Sequence, residues 1–128
     1  MRAWLAIAVF AALIGPGFAA QVSGAEPASL RILLTNDDGY DTPGIRAVLE
    51  ALVVAGHDVT LVAPRTDQSG SGMRVSIQGT LDYEKHDEGI WSVDGSPADS
   101  VLVGLLHIME GEPPNLVVSG ANFGPNLG

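Results

Sequence analysis

Two adjacent carboxylates are the residues of this sequence best suited to chemistry. Asp37 and Asp38 directly follow a short apolar run, Arg31–Thr35, and come after Asn36. Adjacent carboxylates repel each other when both are ionised, and a bound cation is the usual way to keep both charged. A simple turn at Gly39 is the alternative explanation. Asp37 and Asp38 are therefore candidate metal ligands and candidate catalytic groups.

Two further polar loops follow apolar runs in the same way. Ser69 and Gly70 lie beyond the second run, and Gly120 and Asn122 lie beyond the third. Together with two carboxylates, a hydroxyl and a carboxamide form the oxygen donor set that Mg²⁺, Mn²⁺ or Ca²⁺ prefers. Glycine-rich loops also let backbone N–H groups approach an anion, and Asn36 has an amide to donate to a phosphate oxygen. The candidate phosphate-binding residues are Asn36, Ser69, Gly70 and Gly120. The alternative is that these glycines only form turns.

Alternating apolar runs and amphipathic segments predict an α/β fold with a parallel sheet and flanking helices. The predicted strands are at 31–35, 59–63, 75–83, 90–93 and 116–119, and the segments 75–83 and 90–93 are predicted to pair as a hairpin. Helices are expected to begin at Thr42-Pro43 and at Ser96-Pro97, because each pair offers an N-cap followed by proline at the first helical position. Ligands of open parallel sheets bind beyond the carboxyl ends of the strands. The three polar loops should therefore meet at one edge.

Composition narrows the class of partner. The 128-residue chain has no cysteine, so neither disulfides nor thiolate metal ligands are available, and magnesium, manganese or calcium is favoured over zinc. The formal net charge of -9 argues against a nucleic-acid duplex as partner, because phosphate backbones are bound through clustered lysine and arginine. A single phosphomonoester bound through a metal ion stays compatible with that charge.

The amino-terminal segment differs from the rest of the chain. Arg2 precedes an apolar run at 3–14 and then small residues, which is typical of a cleavable secretory signal. The run is shorter than the roughly 20 apolar residues of a membrane span. An uncleaved anchor is the alternative. We interpret residues 1–25 as a signal peptide and 26–128 as one domain, and expect a secreted or periplasmic protein, with the cytoplasm as the alternative.

The remaining polar and aromatic residues are assigned structural roles. His57 and His86 are predicted to face solvent, and His107 to be partly buried. None of the three histidines has the spacing of a metal-binding pair. Trp91 is predicted to pack against the core rather than stack on a nucleobase. Asp99 is expected to stabilise the first turn of the second helix through the helix dipole.

Five segments carry recognisable motifs, at 36–48, 62–64, 67–72, 94–99 and 119–128. Together they resemble the SurE family, a group of phosphatases that act on nucleotides. They occur in the family's order and extend the resemblance over residues 31–128. The resemblance implies a Rossmann-like α/β fold. It also implies that members of the family continue beyond the position of Gly128 for roughly as many residues again. That further part includes a Ser-Gly-Thr motif that helps to build the site.

The resemblance also implies an activity. The metal ligands would be Asp37, Asp38, Ser69 and Asn122, holding Mg²⁺ or Mn²⁺, and the substrates would be nucleoside monophosphates or other small phosphomonoesters. A homo-oligomer, dimer or tetramer, is expected of the full-length protein. Phe123 departs from the family, which commonly has a polar or basic residue there. An inactive fragment that binds metal or anions without turnover is the alternative function.

Overall fold

The computed structural model describes residues 28–124, and its secondary structure alternates strands with helices. The elements are β1 (Arg31–Thr35), α1 (Pro43–Val54), β2 (Asp58–Pro64), β3 (Tyr83–Asp87), β4 (Ile90–Val93), α2 (Pro97–Val103) with a π-helical continuation (Gly104–Ile108), and β5 (Leu116–Ser119). The predicted signal peptide lies outside the described residues, so it and the secreted location stay predictions. Within 28–124, no helix has the length and apolar character needed to cross a membrane.

The five strands form one sheet in the order β3-β4-β2-β1-β5. The pairs β1–β2, β1–β5 and β2–β4 are parallel, and only the edge strand β3 runs antiparallel to its neighbour β4. The predicted α/β fold with a parallel sheet is therefore confirmed. Because β1, β2, β4 and β5 run in one direction, the loops that follow them leave from one edge of the sheet.

Helix α1 begins and ends where its sequence indicates. Thr42 has extended backbone angles (φ -79, ψ 148) and Pro43 occupies the first helical position. The Thr42 hydroxyl donates to the carbonyl of Gly39 at 3.1 Å instead of capping a helical N–H. At the other end, Gly56 has a φ of 89°, a left-handed conformation that glycine adopts without strain. The helix packs Ile45, which is fully buried, against the sheet.

The sheet has a separate apolar core on each face. Ile32 and Leu34 of β1 pack under α1, and Leu33 between them packs under α2. This alternation follows from the two-residue period of a strand. Gly104 lets the second helix approach closely, because a Cβ there would lie 2.8 Å from Cδ1 of Leu33.

The close contact at Gly104 gives a stability prediction. We expect Gly104→Val to lower the free energy of unfolding by about 1–3 kcal/mol, because the added side chain overpacks a core that has no space for it. Ala51→Val is the matched control, since Ala51 is an exposed position of α1. Urea unfolding of both variants checks this. Equal midpoints for the two would contradict the close packing at Gly104.

The predicted strand at 75–83 is wrong. Only its last residue, Tyr83, belongs to a strand, and β3 extends from there to Asp87. Ile77, which contributed to the apolar alternation, is 88% exposed. Ser76 instead bonds to Asp99 through its backbone N–H at 2.7 Å and its hydroxyl at 3.0 Å. These side-chain hydrogen bonds between residues 23 positions apart thus hold the segment in place of sheet pairing.

The predictions for His57 and His107 need correction, whereas His86 is exposed as predicted. The ring of His86 stacks on Tyr40 with centroids 4.1 Å apart, and its Nε2 lies 2.8 Å from the buried Ser92 hydroxyl. His107 is exposed rather than partly buried, and its Nε2 lies 2.6 Å from the hydroxyl of Tyr83. His57 is partly buried, and its Nδ1 accepts a hydrogen bond from the backbone N–H of Leu30. The prediction for Trp91 is confirmed, since it packs against the core under α2.

Candidate functional site

The sheet has a topological switch point between β1 and β5. From β1 the chain passes through α1 to β2 on one side, and α2, on the opposite face, leads to β5 on the other side. Such a switch point opens a crevice at the carboxyl ends of the two strands. A cleft of about 550 Å³ lies there. We call it the switch-point cleft, and its lining residues are Asp37, Gln68, Gly70, Ser71, Gly72, Pro97, Ser119, Gly120, Ala121 and Asn122.

The expectation that three polar loops meet at one sheet edge is confirmed. Asp37 comes from the loop after β1, Gly70 from the loop after β2, and Asn122 from the loop after β5. Pro97, at the start of α2, supplies a fourth wall that sequence analysis missed. The reason is that 90–93 was treated only as half of a hairpin, whereas β4 is also a parallel neighbour of β2 and ends at the same edge.

Short hydrogen bonds hold the three loops together. The backbone N–H of Gln68 donates to the carbonyl of Asp37 at 2.7 Å. The backbone N–H of Phe123 donates to Oδ2 of Asp38 at 2.8 Å. The first bond joins the loops after β1 and β2, and the second joins the loops after β1 and β5. The Asp37–Asp38 pair therefore connects all three loops.

The two carboxylates face different clefts. Asp37 lines the switch-point cleft, whereas Asp38 lines a neighbouring cleft beside the start of α1. Both residues lie in the bend that follows β1, where the turning backbone directs neighbouring side chains to different sides. A shared ion would therefore lie where the two clefts adjoin, at the Asp37–Asp38 pair itself.

Asn36 supports the turn that presents these carboxylates. Only 1% of its surface is exposed, and its Nδ2 donates to the carbonyl of Gly39 and to the hydroxyl of Thr42, both at 3.2 Å. Its Oδ1 accepts from the N–H of Gly39 at 3.1 Å. A direct contact of Asn36 with phosphate stays a prediction. The observed bonds give it a positioning role beneath Asp37 and Asp38.

Ser69 interacts with a neighbouring carboxylate. Its hydroxyl and its backbone N–H donate to Oδ1 of Asp67 at 2.6 Å and 2.8 Å. The hydroxyl and then the N–H hold the pKa of Asp67 below its ordinary value. An aspartate two residues before a serine is a common turn pattern, which could have revealed this pair from sequence. The predicted metal and phosphate contacts of Ser69 stay predictions.

The two glycines predicted to contact phosphate both line the switch-point cleft. Gly70 has a φ of 78°, so the loop turns sharply there. The N–H of Gly120 donates to the carbonyl of Thr35 at 2.9 Å and extends the pairing of β5 with β1. In this geometry Gly120 shapes the cleft through its lack of a side chain. The contact of either glycine with a phosphate stays a prediction.

The donor set of the site fits a hard divalent cation. Asp37 is the only charged residue among those lining the switch-point cleft, and Asn122 and Ser71 add neutral oxygens. Within residues 28–124, no cluster of three or more His, Cys, Asp or Glu side chains could hold a metal. The chemistry is therefore that of two carboxylates supplemented by amide and hydroxyl oxygens, which suits Mg²⁺ or Mn²⁺ better than zinc.

The segment 74–76, which follows the glycine-rich loop after β2, is hydrogen-bonded to the start of α2. Asp99, 1% exposed, accepts from the backbone N–H of Ser96 at 2.8 Å and completes a capping box. It also accepts two bonds from Ser76, while the Ser96 hydroxyl donates to the carbonyl of Arg74. Burial raises the pKa of Asp99, but these hydrogen bonds outweigh it and hold the pKa below its ordinary value. Asp99 thus lies in the first turn of α2 as predicted and stabilises it through these hydrogen bonds, while the contribution of the helix dipole stays a prediction.

The sheet topology and the oxygen donors at its switch point define a Rossmann-like α/β protein with a candidate site for an anion and a cation. A more specific assignment comes from the match of residues 32–128 to the family described as survival protein SurE. The chain belongs to the SurE family.

Individual relatives agree with this assignment. The chain is 45% identical over 104 residues to a 5'-nucleotidase SurE of Paramagnetospirillum magneticum, covering 81% of this chain and 40% of the relative. It is 48% identical over 101 residues to the 5'-nucleotidase SurE of Methanopyrus kandleri, covering 77% and 38%. The crystal structure of SurE protein from Aquifex aeolicus superposes with a TM-score of 0.71 at 45% identity, covering 77% of this chain and 40% of that one. The chain thus spans about 40% of the length of these relatives.

Proposed function

We propose that the protein containing this chain is a metal-dependent phosphatase that hydrolyses nucleoside monophosphates to nucleoside and phosphate. The observation that carries the proposal is the meeting of Asp37, Asn122 and the glycine-rich loop at the switch point, with Asp38 bonded beside them. The relatives named 5'-nucleotidase SurE support the same substrate class.

The charge of the cleft explains why a cation is needed. A phosphomonoester is an anion, and among the described lining residues Asp37 is the only charged group and is itself negative. We assign the ion to Asp37, Asp38, Ser69 and Asn122. When bound there, Mg²⁺ or Mn²⁺ would supply the positive charge that the phosphoryl group needs and would make an attacking water easier to deprotonate.

The chain's own residues orient the substrate and take up the proton of the attacking water. The loop after β2 carries glycines at 70 and 72 with positive φ values, which lets its backbone lie close to a phosphoryl group. Asp37 or Asp38 takes a proton from the attacking water, whose oxygen forms the new P–O bond while the bond to the leaving oxygen breaks. The same aspartate then returns that proton to the leaving oxygen, so the nucleoside leaves as an alcohol and the hydrogen phosphate stays in the switch-point cleft.

A chelation experiment tests the proposed activity. The full-length protein should release phosphate from adenosine monophosphate in the presence of Mg²⁺ or Mn²⁺, lose that activity in excess chelator, and regain it when the metal is restored. The reason is that the lining residues described within 28–124 include no cationic side chain to replace the ion. Turnover that persists after exhaustive metal removal would contradict the proposal. Binding of nucleotide without any turnover would favour the metal- and anion-binding fragment instead.

A further inference from the structure

A second cleft adjoins the site at Asp38. It has a volume of about 410 Å³, and its lining residues are Asp38, Thr42, Pro43, Gly44, Asp67 and Phe123. Gly44 keeps its walls close together, because a Cβ there would lie 3.0 Å from the carbonyl oxygen of Ala121. We call it the Phe123 cleft. Unlike the switch-point cleft, it contains an aromatic ring, and its surface is predominantly apolar.

The side chain of Phe123 lines this cleft and belongs to neither core cluster. It is 89% exposed, whereas the apolar residues of both core clusters are buried or partly buried. Its backbone is nevertheless fixed, because its N–H donates to Asp38 at 2.8 Å. A ring held at the mouth of a cleft by a bond to a candidate metal ligand is suited to contact a flat ligand rather than to stabilise the fold.

The charges of the Phe123 cleft limit what it can accept. Asp38 and Asp67 are the charged residues of its lining, and both are carboxylates. They repel a second anionic group, and they accept hydrogen bonds from hydroxyl or N–H donors. A neutral aromatic ring attached to a sugar satisfies both conditions, because the ring covers apolar surface while the sugar hydroxyls donate.

We propose that the Phe123 cleft binds the leaving group of the substrate, with the nucleobase stacked between Phe123 and Pro43 and the ribose hydroxyls donating to Asp67. This inference rests on the proposed function. With the phosphate in the switch-point cleft, the rest of the ester extends past the Asp37–Asp38 pair, and the adjoining cleft begins at Asp38. Phe123 is thus a specificity-determining residue that favours nucleoside monophosphates over aliphatic phosphomonoesters.

Variants at Phe123 test the proposal in the full-length protein with two esters, adenosine monophosphate and glycerol phosphate. Stacking of a base on an aromatic side chain contributes about 1–3 kcal/mol, so Phe123→Ala should raise KM for adenosine monophosphate by about 5- to 150-fold. Its kcat/KM for glycerol phosphate should fall much less, so the ratio of kcat/KM between the two esters should change. Phe123→Tyr keeps the ring and should behave as the parent does. Leu106→Ala is the control, because Leu106 is 70% exposed but lines neither cleft.

The outcomes separate this inference from the proposed function. If the parent hydrolyses both esters and Phe123→Ala leaves their ratio of kcat/KM unchanged, the inference is overturned while the function stands. A change of oligomeric mass without a change of that ratio also overturns it, since another protein surface would then cover the ring. If the parent hydrolyses neither ester, calorimetric titration with adenosine decides. Binding that is lost in Phe123→Ala supports the inference, and no binding to the parent overturns it.

Discussion

Replacing Asp38 by asparagine in the full-length protein is expected to lower kcat/KM for nucleoside monophosphates by about 100-fold or more, because changes even to residues that only support a metal ligand cost about 10- to 100-fold. Asp37→Asn should have an effect of the same size. The Asp38→Asn variant keeps a side-chain oxygen that can accept from the N–H of Phe123, so the loops should stay joined. Phosphate release at saturating Mn²⁺ measures the effect.

A control at the other end of the sheet makes this result specific. Asp58→Asn introduces the same chemical change at the amino end of β2, where the side chain is exposed and far from both clefts. Its activity should equal that of the parent. Ser69→Ala should cost less than either carboxylate change, since a neutral hydroxyl contributes less to a cation, and Asn122→Ala should fall between them. Equal losses in Asp58→Asn and Asp38→Asn would indicate a general effect of charge instead.

The largest expected effect on stability is at Asp99. Asp99→Asn should lower the free energy of unfolding by about 2 kcal/mol or more, because buried hydrogen bonds to an ionised group contribute about 1.5–3 kcal/mol. An asparagine cannot accept through its NH₂ group, so a bond to Ser96 or to Ser76 is lost. Urea unfolding near pH 7 measures the effect. Asp94→Asn, an exposed carboxylate in the turn before α2, is the control and should change the midpoint little.

The ionisation of Asp99 predicts that the stability of the fold depends on pH. The pKa of Asp99 is lower in the folded than in the unfolded chain, so its ionised form stabilises the fold. That contribution is fully present above the ordinary aspartate pKa of about 3.9 and is lost as pH falls through the lower folded value. The difference in stability between the parent and Asp99→Asn should therefore shrink as the solution is acidified below about pH 4. A difference that stays constant down to acid unfolding would show that Asp99 does not carry this charge effect.

The parallel part of the sheet could be predicted because its signals are local. Val59 and Leu61 belong to a run of apolar residues typical of a strand covered on both faces, and Thr42-Pro43 and Gly56 mark the ends of α1. The edge of the sheet gave no such signal. Every residue of β3 is exposed, so Tyr83–Asp87 lacks the apolar alternation by which a strand is recognised. The alternation at 75–83 was misleading because Asp99 binds Ser76, a contact that sequence spacing does not reveal.

The candidate site was predictable at the level of loops but not of individual contacts. The carboxyl ends of parallel strands share an edge, and this rule brought Asp37 and Asn122 together from sequence alone. It does not determine where each side chain points. The internal bonds of Asn36 and the pairing of Ser69 with Asp67 depend on loop conformation, and so does the division of the two carboxylates between clefts. For the same reason the cleft at Phe123 had no sequence signal beyond a departure from the family pattern.

The central claim is that one divalent ion is shared by residues from the three loops at the switch point. Calorimetric titration of Mn²⁺ into the full-length parent, Asp38→Asn and Asp58→Asn tests it most directly, because it measures the ion without requiring turnover. We predict one binding event in the parent, the same affinity in Asp58→Asn, and binding in Asp38→Asn weakened by about 10-fold or more. Binding of Mn²⁺ to Asp38→Asn as tightly as to the parent would contradict the shared site.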